Sequence, residues 1–252
     1  ADYQSGVTKC YNESKELGNG YVGQKQGEIW GYETYGLFQS EQEIAGAANQ
    51  DKVSGGIKLM PGDIRFVDRN NDGVIDWGDN TVDNPGDKKI IGNSTPRYHY
   101  GINLGADWKG FDLGIFFQGV GKRDLYLPGT SFRSHYGSEW QVPSAYNNDY
   151  WTEENTGAYF PRARFNGGSA INQAQTRYMV DASYCRLKSL SIGYTLPKVL
   201  TQKASIEKIR IYFTGENLFT ISDTPDGLDP ELDNPYTYPM QRSLSVGLSL
   251  TF

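Results

Sequence analysis

Long apolar runs are missing from this 252-residue chain, of which only 37% is hydrophobic. Nowhere do the roughly 18 consecutive apolar residues of a membrane-crossing helix occur; if the chain meets lipid, strands must do the crossing. Basic charge is also in the minority. Twenty-four Lys and Arg against 30 Asp and Glu leave a formal net charge of −6, which excludes the basic footprint that nucleic-acid phosphates demand. Cysteine is scarce: Cys10 and Cys185 lie far apart and match no zinc or redox spacing. The two histidines, His99 and His135, have no Ser or Cys partner at a catalytic spacing. Glu153 and Glu154 are neighbours, and neighbours on a strand face opposite ways. No glycine-rich phosphate loop occurs. The sequence offers no catalytic constellation, and a non-enzymatic protein is expected.

What the chain has in quantity is aromatic residues (18 Tyr, 11 Phe and 5 Trp) and 30 glycines. In a polar chain these predict an all-β protein with long polar loops. The segment 243–252 alternates without a fault, with Leu244, Val246, Leu248, Leu250 and Phe252 apolar and the residues between them small or polar. Successive strand side chains point to opposite faces, so one face is greasy and the other wet. Its length of about ten residues suits a tilted membrane strand. The pattern recurs at 99–108, where Tyr100, Ile102, Leu104, Ala106 and Trp108 oppose His99, Gly101, Asn103, Gly105 and Asp107. A Lys109-Gly110 turn then returns the chain along 111–118, which makes a hairpin. Further strands are predicted at 184–196, with a bulge near Arg186, Leu187 and Lys188, and at 208–221.

Connections alternate in length. The 109–110 and 197–205 links are short, whereas 119–183 and 222–241 are long and rich in Gly, Pro, Asn and Tyr. This asymmetry characterises outer-membrane barrels, whose long loops face outward. Residues 36–98 are expected to form a third outer loop, entered by a rising strand over 29–35. Only five or six strands are visible, fewer than the eight or so of a closed membrane barrel. The chain also opens Ala1-Asp2-Tyr3, without initiator Met or signal segment, so either a segment was removed or the sequence starts mid-protein. The same alternation would equally serve a soluble β domain whose greasy face meets a protein core.

One loop carries metal-binding chemistry. Against the calcium loop of EF-hands, Asp68, Asn70 and Asp72 fill the first three alternate positions. Gly73 takes the sharp turn, Val74 offers its carbonyl, Ile75 is the apolar anchor, and Asp76 and Asp79 complete the ligands. Calcium prefers such a set of hard oxygens. Flanking helices are not evident. Aromatics crowd the following loop, and Tyr136, Trp140, Tyr150 and Trp151 are candidate ligand contacts, since flat rings with polar edges stack on sugars and grip peptides.

Several segments are familiar as a set: Tyr35-Gly36-Leu37-Phe38-Gln39-Ser40, the run from Pro61 to Asp76, Ile91-Gly92-Asn93-Ser94-Thr95-Pro96-Arg97-Tyr98 and the run from Phe111 to Gly119. Tyr184-Cys185-Arg186-Leu187-Lys188 with its continuation to Pro197, Gly215-Glu216-Asn217-Leu218-Phe219-Thr220, Gly227-Leu228-Asp229-Pro230-Glu231, Tyr238-Pro239 and Phe252 complete it. In this order they resemble the C-terminal part of the SusC/RagA family of TonB-dependent outer-membrane transporters. The family has Asp where Tyr35 stands, and an apolar residue where Cys185 stands. The resemblance implies the last strands of an antiparallel transmembrane barrel of about 22 strands, with the N-terminal plug and TonB contact upstream. It implies import of glycans or peptides across a Gram-negative outer membrane, powered by TonB, with a SusD-like surface lipoprotein as lid. A soluble calcium-dependent carbohydrate-binding or adhesive β domain is the alternative, and a glycosidase a distant third.

Overall fold

The computed structural model describes residues 14–126, 149–164, 168–201, 206–225, 228–232 and 237–252. The chain divides into two compact units, one of residues 1–95 and 125–179 and one of residues 96–124 and 180–252.

The first unit is built from what the sequence presents as loops. Strand β1 (Glu28–Tyr32) and strand β4 (Lys88–Asn93) form an antiparallel pair, and β2 (Thr34–Leu37) pairs with β3 (Ile64–Phe66). The segment expected to rise as a barrel strand over 29–35 therefore lies in these small sheets, because its partners are Lys88–Asn93 and Ile64–Phe66. Helix α1 (Glu41–Ala45) starts with a side-chain cap: Ser40 Oγ accepts from the Glu43 amide at 3.2 Å, and Glu43 accepts from the amide of the preceding Gln39 at 2.9 Å. Helix α2 (Asp51–Ser54) sends Val53 into a core shared with Tyr32, Leu37, Ile64, Phe66, Ile75, Phe160 and Tyr178. Residues 174–176 run beside β1 and β2, with the Tyr32 amide donating to the Ala174 carbonyl at 2.8 Å and the Thr34 amide to Thr176 Oγ1 at 3.1 Å. Distant stretches of chain thus share one dry interior.

The second unit is a five-stranded antiparallel sheet. Its strands are β5 (Arg97–Trp108), β6 (Phe111–Lys122), β7 (Tyr184–Thr195), β8 (Lys208–Ser222) and β9 (Ser243–Thr251), in the spatial order β9-β8-β7-β6-β5. The β5–β6 turn has Lys109 at φ 47° and Gly110 at φ 91°, the two positive values a twisted two-residue hairpin requires. The predicted bulge is present. Ser189 faces Phe116 and Leu187 faces Phe117, so Lys188 is the extra residue.

Register fixes the two faces. One row across the sheet reads Ala106, Leu113, Ile192, Phe213 and Val246, and neighbouring rows carry Leu104, Ile115, Leu190 and Leu244, or Phe111, Tyr194, Ile211 and Leu248. These side chains are open rather than packed: Leu244 is 61% exposed, Val246 78% and Leu248 60%. So broad an apolar surface on a soluble protein would be an aggregation liability. On a transmembrane barrel it is the lipid-facing wall, and this sheet is such a portion of wall. β5 and β9 each pair on one side only among the described residues. Among the described residues the barrel is not closed.

The intervening rows are polar and small. Asp107, Asp112, Gly193, Tyr212 and Gly247 stand in one, Gly105, Gly114, Ser191, Thr214 and Ser245 in the next. Arg210 Nε donates to Asp112 Oδ2 at 3.0 Å, and its guanidinium lies 4.8 Å from the centre of the Tyr212 ring. Glycine makes room for both groups: a Cβ at Gly193 would come 2.2 Å from Asp112 Oδ2, and one at Gly247 2.2 Å from Tyr212 Cζ. Gly247→Leu is expected to destabilise the sheet by about 1–3 kcal/mol through overpacking, and Tyr212→Ala should restore it. Thermal unfolding of the full-length barrel, followed by its heat-modifiable gel mobility, checks both outcomes.

Candidate functional site: the acidic loop

The loop after β3 folds through side chain–backbone bonds. Asp68 accepts from the Asn71 amide at 2.7 Å and the Gly73 amide at 2.9 Å, Asn70 from Asp72 at 3.0 Å, and Asp72 from Val74 at 2.8 Å. Asn71 and Gly73 take positive φ of 58° and 84°, as a chain folding back on its own carboxylates requires. Ile75 is fully buried in the core, its amide donating to the Asn49 carbonyl at 2.7 Å while the Asn49 amide donates to Gly73 at 2.8 Å. The expected apolar anchor is therefore in place.

Of the predicted ligands, Asp68, Asn70, Asp72 and Val74 share this one turn. Asp76 and Asp79 are engaged elsewhere. Asp76 forms a 2.7 Å ion pair with Lys52 and accepts from the Gly78 amide at 2.8 Å, and Asp79 accepts from Asn84 Nδ2 at 2.9 Å. Among the described residues, no three acidic, histidine or cysteine side chains form a metal-holding group. What remains together in the first turn is the side chains of Asp68, Asn70 and Asp72 with the Val74 carbonyl, the side-chain oxygens accepting hydrogen bonds from within the turn. The Lys52 ammonium, then the Gly78 amide, hold the Asp76 carboxyl below its ordinary value.

Sequence inspection missed the residue that closes this loop. Asp87 is wholly buried and accepts from the Arg69 amide and the Asp76 amide, each at 2.8 Å, while its own amide donates to the Asp76 carbonyl at 3.0 Å. One carboxylate thereby clasps both ends of the turn. The signal lay 11 residues downstream of Asp76, outside any motif window, in a Gly86-Asp87 step that reads as ordinary loop. Gly78 and Gly86 permit the close approach: a Cβ on Gly86 would stand 2.4 Å from the Gly78 nitrogen. Burial pushes the Tyr32 hydroxyl well up, with the charges of Asp87 and Asp76 adding to it, and burial lowers Lys88.

The predicted aromatic contacts separate. Tyr136 and Trp140 lie outside the described residues. Tyr150 is 37% exposed and lines an open cleft with Thr152, Glu153, Glu154 and Arg162. Trp151 borders the same cleft but is only 4% exposed. Its Nε1 donates to Gln39 Oε1 at 3.2 Å, and Arg162 sits 5.7 Å from its ring centre. The place of its indole is in the core, where Gly62 leaves room for it.

With these geometries in view, comparison with known proteins gives the lineage. No family model matches the chain. TonB-dependent receptor P3 of Formosa agariphila is 32% identical over 248 residues, covering 91% of this chain. TonB-dependent receptor SusC of Bacteroides thetaiotaomicron is 29% identical over 194 residues, covering 74% of this chain. The chain belongs to the SusC/RagA family of TonB-dependent receptors. This receptor segment spans 22% of the length of the Formosa relative and 17% of SusC. The solved RagAB peptide transporter shares its fold, with a TM-score of 0.64 at 22% identity, over 92% of this chain and 24% of that one. The RagAB importer in its closed-closed state matches with a TM-score of 0.61 at 21% identity, over 93% of this chain and 23% of that one.

Two outcomes follow for the acidic loop. Asp87→Ala should cost about 1–3 kcal/mol, because two half-buried amides lose their acceptor, and limited proteolysis between Arg65 and Lys88 should accelerate accordingly. Acid should loosen the same loop. A carboxyl held below its unfolded value, as in Asp76, contributes stability above about pH 4 that is lost as pH falls through the folded value. Asp76→Asn should flatten that decline in a proteolysis–pH series.

Proposed function

We propose that this segment forms wall and outer loops of an importer in the outer membrane of a Gram-negative bacterium. The importer takes up an oligosaccharide or a peptide, driven by TonB, with a SusD-like lipoprotein closing over the mouth. The observation that carries this reading is the two-faced sheet: exposed leucines, isoleucines and valines on one side, and glycine, serine and the Arg210–Asp112 pair on the other. The names of the relatives support it, RagAB being called a peptide transporter and an importer. Short links at 109–110 and 197–205 face the periplasm, and the segments 36–98, 119–183 and 222–241 face outward. Within them, Tyr150 and the polar rim of its cleft are ligand contacts. With the apolar face open to solvent, the observations do not favour the soluble binding-domain alternative.

Calcium belongs to the same reading. Asp68, Asn70, Asp72 and the Val74 carbonyl would hold it, with Asp76 joining on release from Lys52. The cation would offset the mutual repulsion of the loop's carboxylates. Asp87 and the Asx-type bonds shape the turn whether or not a cation is bound.

Uptake of labelled oligosaccharides and peptides by cells carrying the full-length receptor should stop when TonB is deleted, and TonB-independent uptake would sink the proposal. Chelation with EDTA should raise protease cleavage between Arg65 and Lys88 severalfold, reversibly with calcium and not with magnesium, while the barrel keeps its heat-modifiable mobility. Unchanged cleavage would remove calcium from the account.

A further inference from the structure

A second cluster of charge, unrelated to the acidic loop, sits at the β7–β8 end of the sheet. Arg186 is nearly inaccessible. It pairs with Asp229 at 2.6 Å and Glu231 at 2.8 Å, and its Nε donates to Thr220 Oγ1 at 2.8 Å. Lys188 reaches the same Glu231 at 3.1 Å. Arg123, also buried, donates to the Pro230 carbonyl at 2.7 Å. Asp229 further accepts from the amides of Glu231 and Met240, each at 3.0 Å, and Asn217 Nδ2 donates to the Gln241 carbonyl at 3.1 Å. Burial disfavours the charge on Asp229, yet the Glu231 amide, Arg186 and the Met240 amide together hold its carboxyl below the ordinary value.

The register tells which side of the sheet this cluster occupies. Arg186 stands opposite Gln118 and Thr220, whereas Leu187 stands with Phe117 and Phe219 on the apolar side. In strict alternation Lys188 would follow Arg186 onto the polar side and Ser189 would then fall with the apolar residues. The extra residue at the bulge resets the phase, so that Ser189 stays in the polar row while Lys188 still reaches Glu231. Asp229 and Glu231, coming from the long β8–β9 connection, must therefore approach from the polar face.

We propose that the segment 228–232 is folded back over the lumenal face of the barrel wall and fixed there by Arg186 and Lys188, forming an inner rim at the mouth. Length alone would make this connection an outward loop. Four salt-bridged side chains and a buried arginine instead hold its first part against the strands. Resting on the import reading above, a solute would pass this rim, whose charges are already neutralised against one another.

The test uses full-length receptor in the outer membrane, with every native cysteine, Cys10 and Cys185 included, replaced by serine. The buried Pro230 is replaced by Pro230→Cys as a reporter for a bulky polyethylene-glycol maleimide added outside. Reporter labelling should be slow with Arg186 intact and at least tenfold faster with Arg186→Gln, while Arg186→Lys restores part of the protection. Heat-modifiable mobility shows in each case that the barrel has formed. Asp229→Asn should act like Arg186→Gln, and the two together should add little to either alone. Fast labelling with Arg186 intact would overturn the rim, and persistent shielding in a folded Arg186→Gln barrel would overturn the role of the ion pairs. Loss of heat-modifiable mobility with Arg186 intact would instead count against the barrel reading itself.

Discussion

Inside a bilayer no water is available to a backbone N–H or C=O, and each group left alone costs several kcal/mol. Everything in the strand unit follows from that constraint. The backbone groups are used up in inter-strand ladders along β5 to β9, which leaves the side chains to settle the two remaining questions, what meets lipid and what lines the passage. Alternation answers both at once, since each pair of neighbouring residues contributes one group to either side. Among the described residues the two edges of the five-stranded sheet remain open, so the sheet is stable in lipid only as part of a larger cylinder. That agrees with relatives about four times the chain's length.

The first unit obeys a different logic, because it supplies its own interior. Its carboxylates are consumed locally: Asp68, Asp72 and Asp87 bind backbone amides, and Asp76 binds Lys52. Those bonds shape the turn that drives Ile75 into the core beside Tyr32, Val53 and Phe66. Polar loop composition therefore coexists with a packed domain, the polar groups fixing the path of the chain and a minority of apolar residues filling the centre.

How much of this could be read beforehand depended on whether the signal was local. The strands at 99–108, 111–118, 184–196, 208–221 and 243–252 were legible because period-two alternation needs no partner to be recognised. The Lys109-Gly110 turn and the bulge at Lys188 were legible for the same reason, one as turn chemistry and the other as a break in phase. The compact unit of residues 1–95 and 125–179 was not, since Tyr32 meets Ala174 and Trp151 meets Gln39 across more than a hundred residues and neither half shows a periodic face. Trp151 illustrates the difficulty: sequence shows an aromatic in a polar loop, and only tertiary contacts separate a ring at a ligand surface from one inside a core. Asp87 was hidden in the same way, its partners fixed by a chain crossing that Gly78 and Gly86 permit. The rising strand expected over 29–35 is present as two short strands paired with 88–93 and 64–66, since alternation identifies a strand without identifying its neighbour.

The glycines of the lumenal rows set unequal rules for change on the two sides of the wall. Outward positions such as Leu244 or Ile192 touch fluid hydrocarbon, so one greasy residue can replace another with little geometric penalty. Inward positions such as Gly193 and Gly247 are filled already by Asp112, Arg210 and Tyr212 leaning in from adjacent strands. Sequence drift can run freely on the membrane side, while on the inner side a residue can enlarge only if its neighbour shrinks. New selectivity in such a wall would therefore arise through paired exchanges across strands rather than through isolated ones.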